Sequence, residues 1–374
     1  MKKVVLFGAV LLTGTFLSAQ DIVGAVGKTK GKIQFEDFRT IQAEGASEVL
    51  LSKADKINFT SQSIEITKIC NCGNYIAAMT QSLNGDLFYL PMHGKQISKV
   101  NAGSKTGVLL DIPNAKINPK DQATFHARMT TTPDGNMYAL NNGGTELLRI
   151  SPNGTVQNLG GIPEIAALAK KLGVETAVYG GDMVADAFGN LYVLSASAHV
   201  FKINVNSLKT DYLGKINGLP EKYTVNGAAV EKDGSVLLGT SSLEKGLYSL
   251  DIETLEATFK MNYDWAVYDL SSANFLRQAE MDQLATLKSH YSLYPTIVKN
   301  SQLNIVSRSQ DKTKLEVSVW DLNQKKVYSS ALNLQSMGEF QVQLSGNLQP
   351  GIYVLKAVNH EGKEVINTKF TLVR

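Results

Sequence analysis

One phrase recurs four times in this chain and constrains its fold more than any other feature. It reads "SLNGDLFYL" at 82–90, "TPDGNMYAL" at 132–140, "DAFGNLYVL" at 186–194 and "EKDGSVLLG" at 231–239. Each copy has a glycine, a small polar residue, then an apolar pair. The glycines are Gly85, Gly135, Gly189 and Gly234, spaced by 50, 54 and 45 residues. An echo at such a period is the mark of a fold built from repeated supersecondary units.

One unit can be parsed completely. "ARMTTT", "NMYAL", "ELLRIS" and "TVQNLG" are four short apolar-alternating runs, separated by "PDG", "NNGG" and "PNG". Glycine accepts positive φ, so these punctuators predict hairpin turns between four antiparallel strands. Four-stranded units near this period predict the blades of an all-β propeller over residues 20–276. Such a unit has two apolar faces and buries both by stacking against its neighbours. Residues 47–69 resemble later strands lacking a first one. Residues 266–276 resemble a first strand lacking later ones. Joined, they predict a blade built from both ends of the domain, giving about five blades, or six if 31–46 holds more strands. "IPEIAALAKKLG" (162–173) interrupts the pattern as a short helix, begun by Pro163, ended by Gly173, with Ile165, Leu168 and Leu172 on its apolar face.

Lys2 and Lys3 precede an apolar stretch from Val4 to Leu17 and the small pair Ser18-Ala19. That order predicts a signal peptide over 1–19, although Leu17 is larger than the residue usual at its place before a cut. No later run has the length of a membrane span. Net charge is +3 with 19% charged residues, so nothing points to a nucleic-acid partner, and "GKTKGK" (27–32) reads as a solvated tail. Cys70 and Cys72 form a C-x-C pair with three open readings: a strained local disulfide, free buried thiols, or metal and redox chemistry. The five histidines show no metal spacing, and neither a metal nor a cofactor is expected.

After a helix-like or linker stretch (277–289), the texture changes. "LEVSVWDL" and "IYVLKAV" alternate strictly, and "LNQKK", "LQPG" and "NHEGK" supply turns. An antiparallel β-sandwich of about seven strands is expected over 290–374. Four stretches here, "LYPTIVKNSQLNIV" (293–306), "VSVWDLNQKKVYS" (317–329), "LQPGIYVLKAV" (348–358) and "KFTLVR" (369–374), resemble the type A C-terminal sorting domain of the type IX (Por) secretion system of Bacteroidetes. Thr296 departs from it, the family most often having Asn followed by Pro there. The resemblance implies Sec export, recognition by the type IX machinery through 290–374, and a protein secreted or held at the outer cell surface, commonly with this domain removed. The "DGNMY" and "FGNLY" turns also resemble propellers of the broad NHL and lactonase-like kind, which implies fold and little about activity.

Candidate site residues follow from counting back from each turn glycine, since inner strands line a propeller's channel. Ten residues before are Tyr75, Phe125, Tyr179 and Thr224; seven before are Ala78, Arg128, Asp182 and Gly227. With the intervening His126 and Asn226, and Asp264 from the shared blade, the predicted site is His126, Arg128, Tyr179, Asp182, Asn226 and Asp264. Such a set suits a small polar ligand or a sugar; alternatively Arg128 and Asp182 pair across blades and hold the ring. Two function classes result: an exported module that binds a ligand or partner, and an extracellular lyase or hydrolase acting on a saccharide or lactone at the channel.

Overall fold

A computed structural model describes residues 22–42, 47–59, 62–65, 76–285, 290–309, 312–334 and 337–373. The expected signal peptide and the Cys70–Cys72 pair lie outside these residues. The four echoes are one turn built four times. Gly85, Gly135, Gly189 and Gly234 have φ of 88°, 80°, 81° and 87°. In each, the residue three before the glycine accepts the glycine's N–H through its carbonyl: Gly135 to Thr132 at 2.9 Å, Gly189 to Asp186 at 3.0 Å. That same residue donates its own N–H one residue past the glycine, as Thr132 does to Asn136 O at 2.8 Å. A side chain would strain the left-handed backbone there, which is why glycine recurs.

These turns join the first two strands of four sheets, antiparallel except where Lys56–Phe59 runs parallel to Thr106–Asp111. The Gly135 sheet runs His126–Thr131, Met137–Asn141, Leu147–Ile150, Val156–Asn158. The Gly189 sheet runs Asp182–Ala185, Asn190–Leu194, His199–Asn204, Thr210–Lys215. The Gly234 sheet runs Gly227–Val230, Val236–Gly239, Leu247–Asp251, Glu256–Met261. The Gly85 sheet runs Ile76–Gln81, Leu87–Pro91, Gln96–Asn101, Thr106–Asp111, and continues into Lys56–Phe59 and Gln62–Glu65.

A fifth sheet is shared between the two ends of the region. Ala266–Ser271 pairs with Ile22–Gly27, followed by Asp37–Ile41 and Val49–Ser52. The sharing matches expectation, but its membership does not. Only Val49–Ser52 of the expected 47–69 belongs to it, and two of its strands come from 22–41. Beyond a turn where Ser52 N donates to Asp55 Oδ2 at 2.7 Å, the chain crosses to the neighbouring sheet. Leu51 and Ile57 straddle that turn and enter one apolar cluster with Phe38, Met79 and Tyr89. Burial on both sides of the crossing holds each strand in its own sheet.

Apolar layers lie between consecutive sheets. Ala78, Phe88 and Leu90 pack on Met129, Met137 and Leu148. Tyr138, Leu140 and Leu147 pack on Met183, Leu191 and Phe201, with the helix Pro163–Leu172 covering the edge through Ile165, Leu168 and Ala169. Gly173 ends that helix in the left-handed conformation, as expected, whereas Leu172 is 40% exposed and Ala169 takes the buried place assigned to it. Val184, Leu194 and Val200 pack on Ala228, Leu238 and Leu250, and Ala229, Leu237 and Leu247 on Val26, Val267 and Leu270. These are the stacked sheets of a β-propeller.

The helix Gln278–Ala285 follows. Beyond it, Tyr291–Tyr294, Gln302–Ser307 and Gly338–Gln343 form one sheet. Ile297–Val298, Glu364–Leu372, Gly351–Val358, Thr313–Trp320 and Lys326–Leu334 form another. Leu315, Val317 and Val319 alternate inward from one sheet to meet Leu303, Ile305 and Phe340 of the other. Eight strands thus stand where about seven were expected, the extra one being the two-residue Ile297–Val298.

Candidate functional site

The first strands of the five sheets lie side by side and begin at one end of the propeller. A cavity of about 210 Å³ opens at that end, lined from every sheet: Ile76, Ala127, Gly180 with Gly181, Asn226, and Tyr268. Phe125 and Met92 add apolar wall, and Asn142 and Gln122 add amides; among the described residues no charged side chain lines it. Tyr268 fixes the rim, its hydroxyl lying 2.8 Å from Lys32 O and 3.1 Å from Gln34 O and accepting from Gln34 N at 3.0 Å. The Asn226 carbonyl oxygen accepts from Ser241 N at 2.9 Å, Ser241 Oγ at 3.0 Å and Thr224 Oγ1 at 2.8 Å. Its amide N–H groups have no partner in the hydrogen bonds among the described residues.

Beneath the cavity the channel is polar and closed to solvent. Arg128 is fully buried. Its Nε donates to Gly180 O at 2.8 Å, and its Nη2 donates to Val178 O. The guanidinium therefore pins the Gly180–Gly181 stretch that floors the cavity. Burial pushes its pKa down to about 10, against the pull of the Asp182 charge. Asp182, also fully buried, accepts through Oδ2 from Ala228 N at 2.6 Å and Leu270 N at 3.3 Å, and through Oδ1 from Met183 N at 2.7 Å. It ties three sheets together through backbone amides. Arg128 and Asp182 do not form the expected ion pair: one binds carbonyls and the other binds amides.

Asp269, fully buried beside Asp182, was not anticipated. Burial raises both carboxyls well above their ordinary range, and the Asp182 charge raises Asp269 further. Toward the far end, Thr80, Thr131 and Ser271 form a hydroxyl chain, with oxygens 3.0 and 3.2 Å apart.

The remaining predicted residues lie elsewhere. His126 is buried in its own sheet, Nε2 3.3 Å from Glu146 Oε2. Tyr179 lies outside the cavity against the helix Pro163–Leu172. Its hydroxyl donates to Glu175 at 2.9 Å, and burial together with Glu175 pushes it up to about 12. Asp264 is 82% exposed and lies 3.6 Å from Lys245, because it sits before the shared strand rather than on it. Tyr75 lies outside the described residues. Of the six, then, Asn226 lines the cavity, Arg128 and Asp182 build its foundation, and His126, Tyr179 and Asp264 are not brought to it. Among the described residues no group of three His, Cys, Asp or Glu side chains gathers as a metal site, and no helix is long and apolar enough to cross a membrane.

Comparison with known proteins adds two sequence matches. Residues 115–263 match a repeat of unknown function (DUF6923), and residues 292–371 match the secretion system C-terminal sorting domain. No curated protein matches the chain. Similar solved structures include virginiamycin B lyase from Staphylococcus aureus, at 12% identity and TM-score 0.39, over 96% of this chain and 97% of that one. A protein of unknown function from Bacteroides caccae is 11% identical at TM-score 0.38, over 68% and 98%. The extracellular domain of a putative one component system from B. thetaiotaomicron is 13% identical at TM-score 0.34, over 94% of this chain and only 50% of its own length. None of these three reaches a TM-score of 0.5, so the fold rests on the strand pairing described above.

Proposed function

From the premise that residues 292–371 are a type IX secretion C-terminal sorting domain, and that the chain is accordingly a secreted or cell-surface protein handled by that machinery, we propose that its five sheets close into a five-bladed ring whose mouth binds a small uncharged ligand. The lining of one cavity by residues on or just before the inner strand of every sheet, with no charged side chain among the described residues, carries this reading. A ligand that fits would lay an apolar or planar face on Phe125 and Ile76 and offer a hydrogen-bond acceptor to the Asn226 amide. The sheet shared between the two ends of the region supports it, because the wall of the mouth is continuous only if the first and last sheets are neighbours.

The second reading is an extracellular lyase or hydrolase, and it draws on the Asp182–Asp269 pair. Both carboxyls are sealed below the floor, and Asp182 is committed to backbone amides. Among the described residues no acid or base lines the cavity, which favours binding without turnover.

The test is a screen of neutral monosaccharides and lactones by thermal shift, followed by titration of hits and product analysis. Expected is a saturable hit without turnover, weakened about tenfold by Asn226→Ala, the cost of one lost hydrogen bond of about 1.4 kcal/mol. Turnover would establish the enzyme instead, and a hit indifferent to both Asn226→Ala and Phe125→Ala would remove the ligand from this cavity.

A further inference from the structure

The opposite end of the channel, where the repeated turns lie, holds a second and differently built site. In three of the four turns the residue before the glycine is polar: Asn84, Asp134 and Asp233. In the fourth it is Phe188, which is buried. Around Phe188 stand Asp186, Asn190 and Asn204 of the Gly189 sheet, together with Arg277.

The residue before Arg277 is fixed to the propeller by its backbone, since Leu276 N donates to Ala185 O at 3.1 Å and Ala187 N to Leu276 O at 2.8 Å. The φ of Arg277 is 58°, a left-handed conformation that strains a bulky residue. That strain is held by side-chain contacts. The guanidinium lies 4.3 Å above the Phe188 ring, 2.9 Å from Glu280, 3.4 Å from Asp186 and 3.2 Å from the Tyr294 hydroxyl.

Glu339 of the sorting domain enters this cluster, and it is received as a ligand would be. Its carboxylate accepts from Asn190 Nδ2 at 3.1 Å and lies 3.6 Å from Arg277 Nη1. Its backbone is read as well: the N–H donates to Phe188 O at 3.2 Å, and the carbonyl accepts from Asn204 Nδ2 at 3.1 Å. Phe188, Ala187 and Met281 close an apolar collar with Val306 and Tyr294. Glu339 is 5% exposed and Asp186 fully buried. Two buried carboxylates near one guanidinium are tolerable only because amides and the arginine fork share them.

We propose that this face of the propeller is a recognition site for a glutamate presented on an extended strand. Its occupant in the full chain is Glu339, and the contact keeps the sorting domain seated on the propeller after the connecting chain is cut. The site reads charge, through Arg277 and Asn190, and strand backbone, through Phe188 and Asn204. It lies at the end away from the cavity, so an occupied site leaves the mouth uncovered.

The experiment inserts a protease site between residues 285 and 290 of the full chain, cuts it, and follows the two pieces by size-exclusion chromatography at micromolar concentration. Wild-type pieces should co-elute. Glu339→Gln should weaken their association at least tenfold, and so should Arg277→Gln on the other piece. Glu361→Gln, at an exposed turn of the sorting domain, should leave it unchanged. Circular dichroism melts of each piece check folding; because the two variants lie on different pieces, misfolding of one cannot account for both losses. Retention at wild-type strength in both variants would overturn the proposal, as would wild-type pieces that part as readily as the Glu339→Gln pieces.

Discussion

The two ends of the propeller channel are made from the same strands and differ in almost every other respect. At the turn end, one hydrogen-bonded turn is repeated with φ near 80–88° at each glycine. There the sorting domain sits, on a cluster of two carboxylates and an arginine. At the mouth, the entering loops differ between sheets: a 3-10 turn at Gln122–Thr124, a helix with a further 3-10 turn before Gly180, and the 32–34 loop tied to Tyr268. The lining there is uncharged among the described residues, and open. A repeat keeps what the stacked sheets require, which is the turn and the packing layer. It leaves the mouth loops to vary, and binding surfaces in such folds arise where variation carries no structural penalty.

The hardest test of this contrast removes the scaffold common to both ends. Ala266–Ser271 is the inner strand of a sheet whose other three strands lie within 22–52. A chain lacking 22–52 should lose the cooperative melt of the propeller outright, since two apolar layers lose one wall each. An undiminished calorimetric transition would sink the shared-sheet account and, with it, the continuity of the mouth.

Asp182 and Arg128 rank next, because they hold the strands together between the two ends. Asp182→Ala leaves the amides of Ala228 and Met183 without an acceptor, an expected loss of about 3 kcal/mol in denaturant unfolding. Arg128→Met strips the carbonyls of Val178 and Gly180 of their donor and should cost about 2 kcal/mol. The Arg128 change should also weaken ligand binding at the mouth while leaving the seating of the sorting domain untouched. Equal damage to both would mean that the two ends are coupled and not independent.

A smaller effect is expected from pH. Asp182 and Asp269 have carboxyl pKa values raised by burial above the ordinary 3.8. The folded protein therefore binds their protons more tightly than the unfolded chain does. Their contribution is complete below the ordinary carboxylate range and falls as pH rises above about 4, by at most about 1.4 kcal/mol per pH unit for each proton. Asp269→Asn should flatten that slope, read as melting temperature against pH from 4 to 7. A slope identical to wild type would mean that the pair does not titrate as a buried unit.

How much of this was legible in the sequence varied with the presence of a ruler. The turn glycines gave one, so counting placed Arg128, Asp182 and Asn226 at or within two residues of the starts of their inner strands. The shared strand has no turn glycine, because its hairpin partner Ile22–Gly27 lies at the other end of the region. Counting there stopped at Asp264 and missed Asp269 five residues on. The strand Ile22–Gly27 went unread because "IVGAVG" abuts the leader-like segment and carries glycine where a strand usually carries a side chain, while the strand allowed for in 31–46, Asp37–Ile41, joins the fifth sheet and not a sixth. Gly24 and Gly27 are needed for space: a Cβ at Gly27 would lie 2.1 Å from the Tyr268 hydroxyl. The docking site had a visible signal in Phe188, an aromatic residue in a turn position that is polar in the other three copies. Side-chain direction was beyond pattern alone, so Tyr179 and His126 fell at counted positions yet point into neighbouring structure.

The smallest expected effect concerns Asp264, and it sharpens the boundary of the mouth. Asp264 and Lys245 are 82% and 70% exposed and 3.6 Å apart. Holding such a pair in one geometry costs side-chain entropy about equal to the screened attraction, so exposed pairs are worth about 0–1 kcal/mol. Asp264→Asn should leave stability within about 0.5 kcal/mol of wild type and leave any ligand affinity unchanged, since the carboxylate is absent from the cavity lining. Lys30 is a route by which it would matter. That side chain is held below its ordinary pKa by burial, with the Asp264 charge opposing, and it donates to Glu244 O at 2.8 Å near the rim. Titrating the ligand against wild type and Asp264→Asn at low and high salt separates the cases. An affinity difference that vanishes in salt would mean that the mouth feels the charge on its rim, extending the site outward beyond the uncharged cavity. No difference at either salt confines recognition to the Phe125, Asn226 and Tyr268 walls.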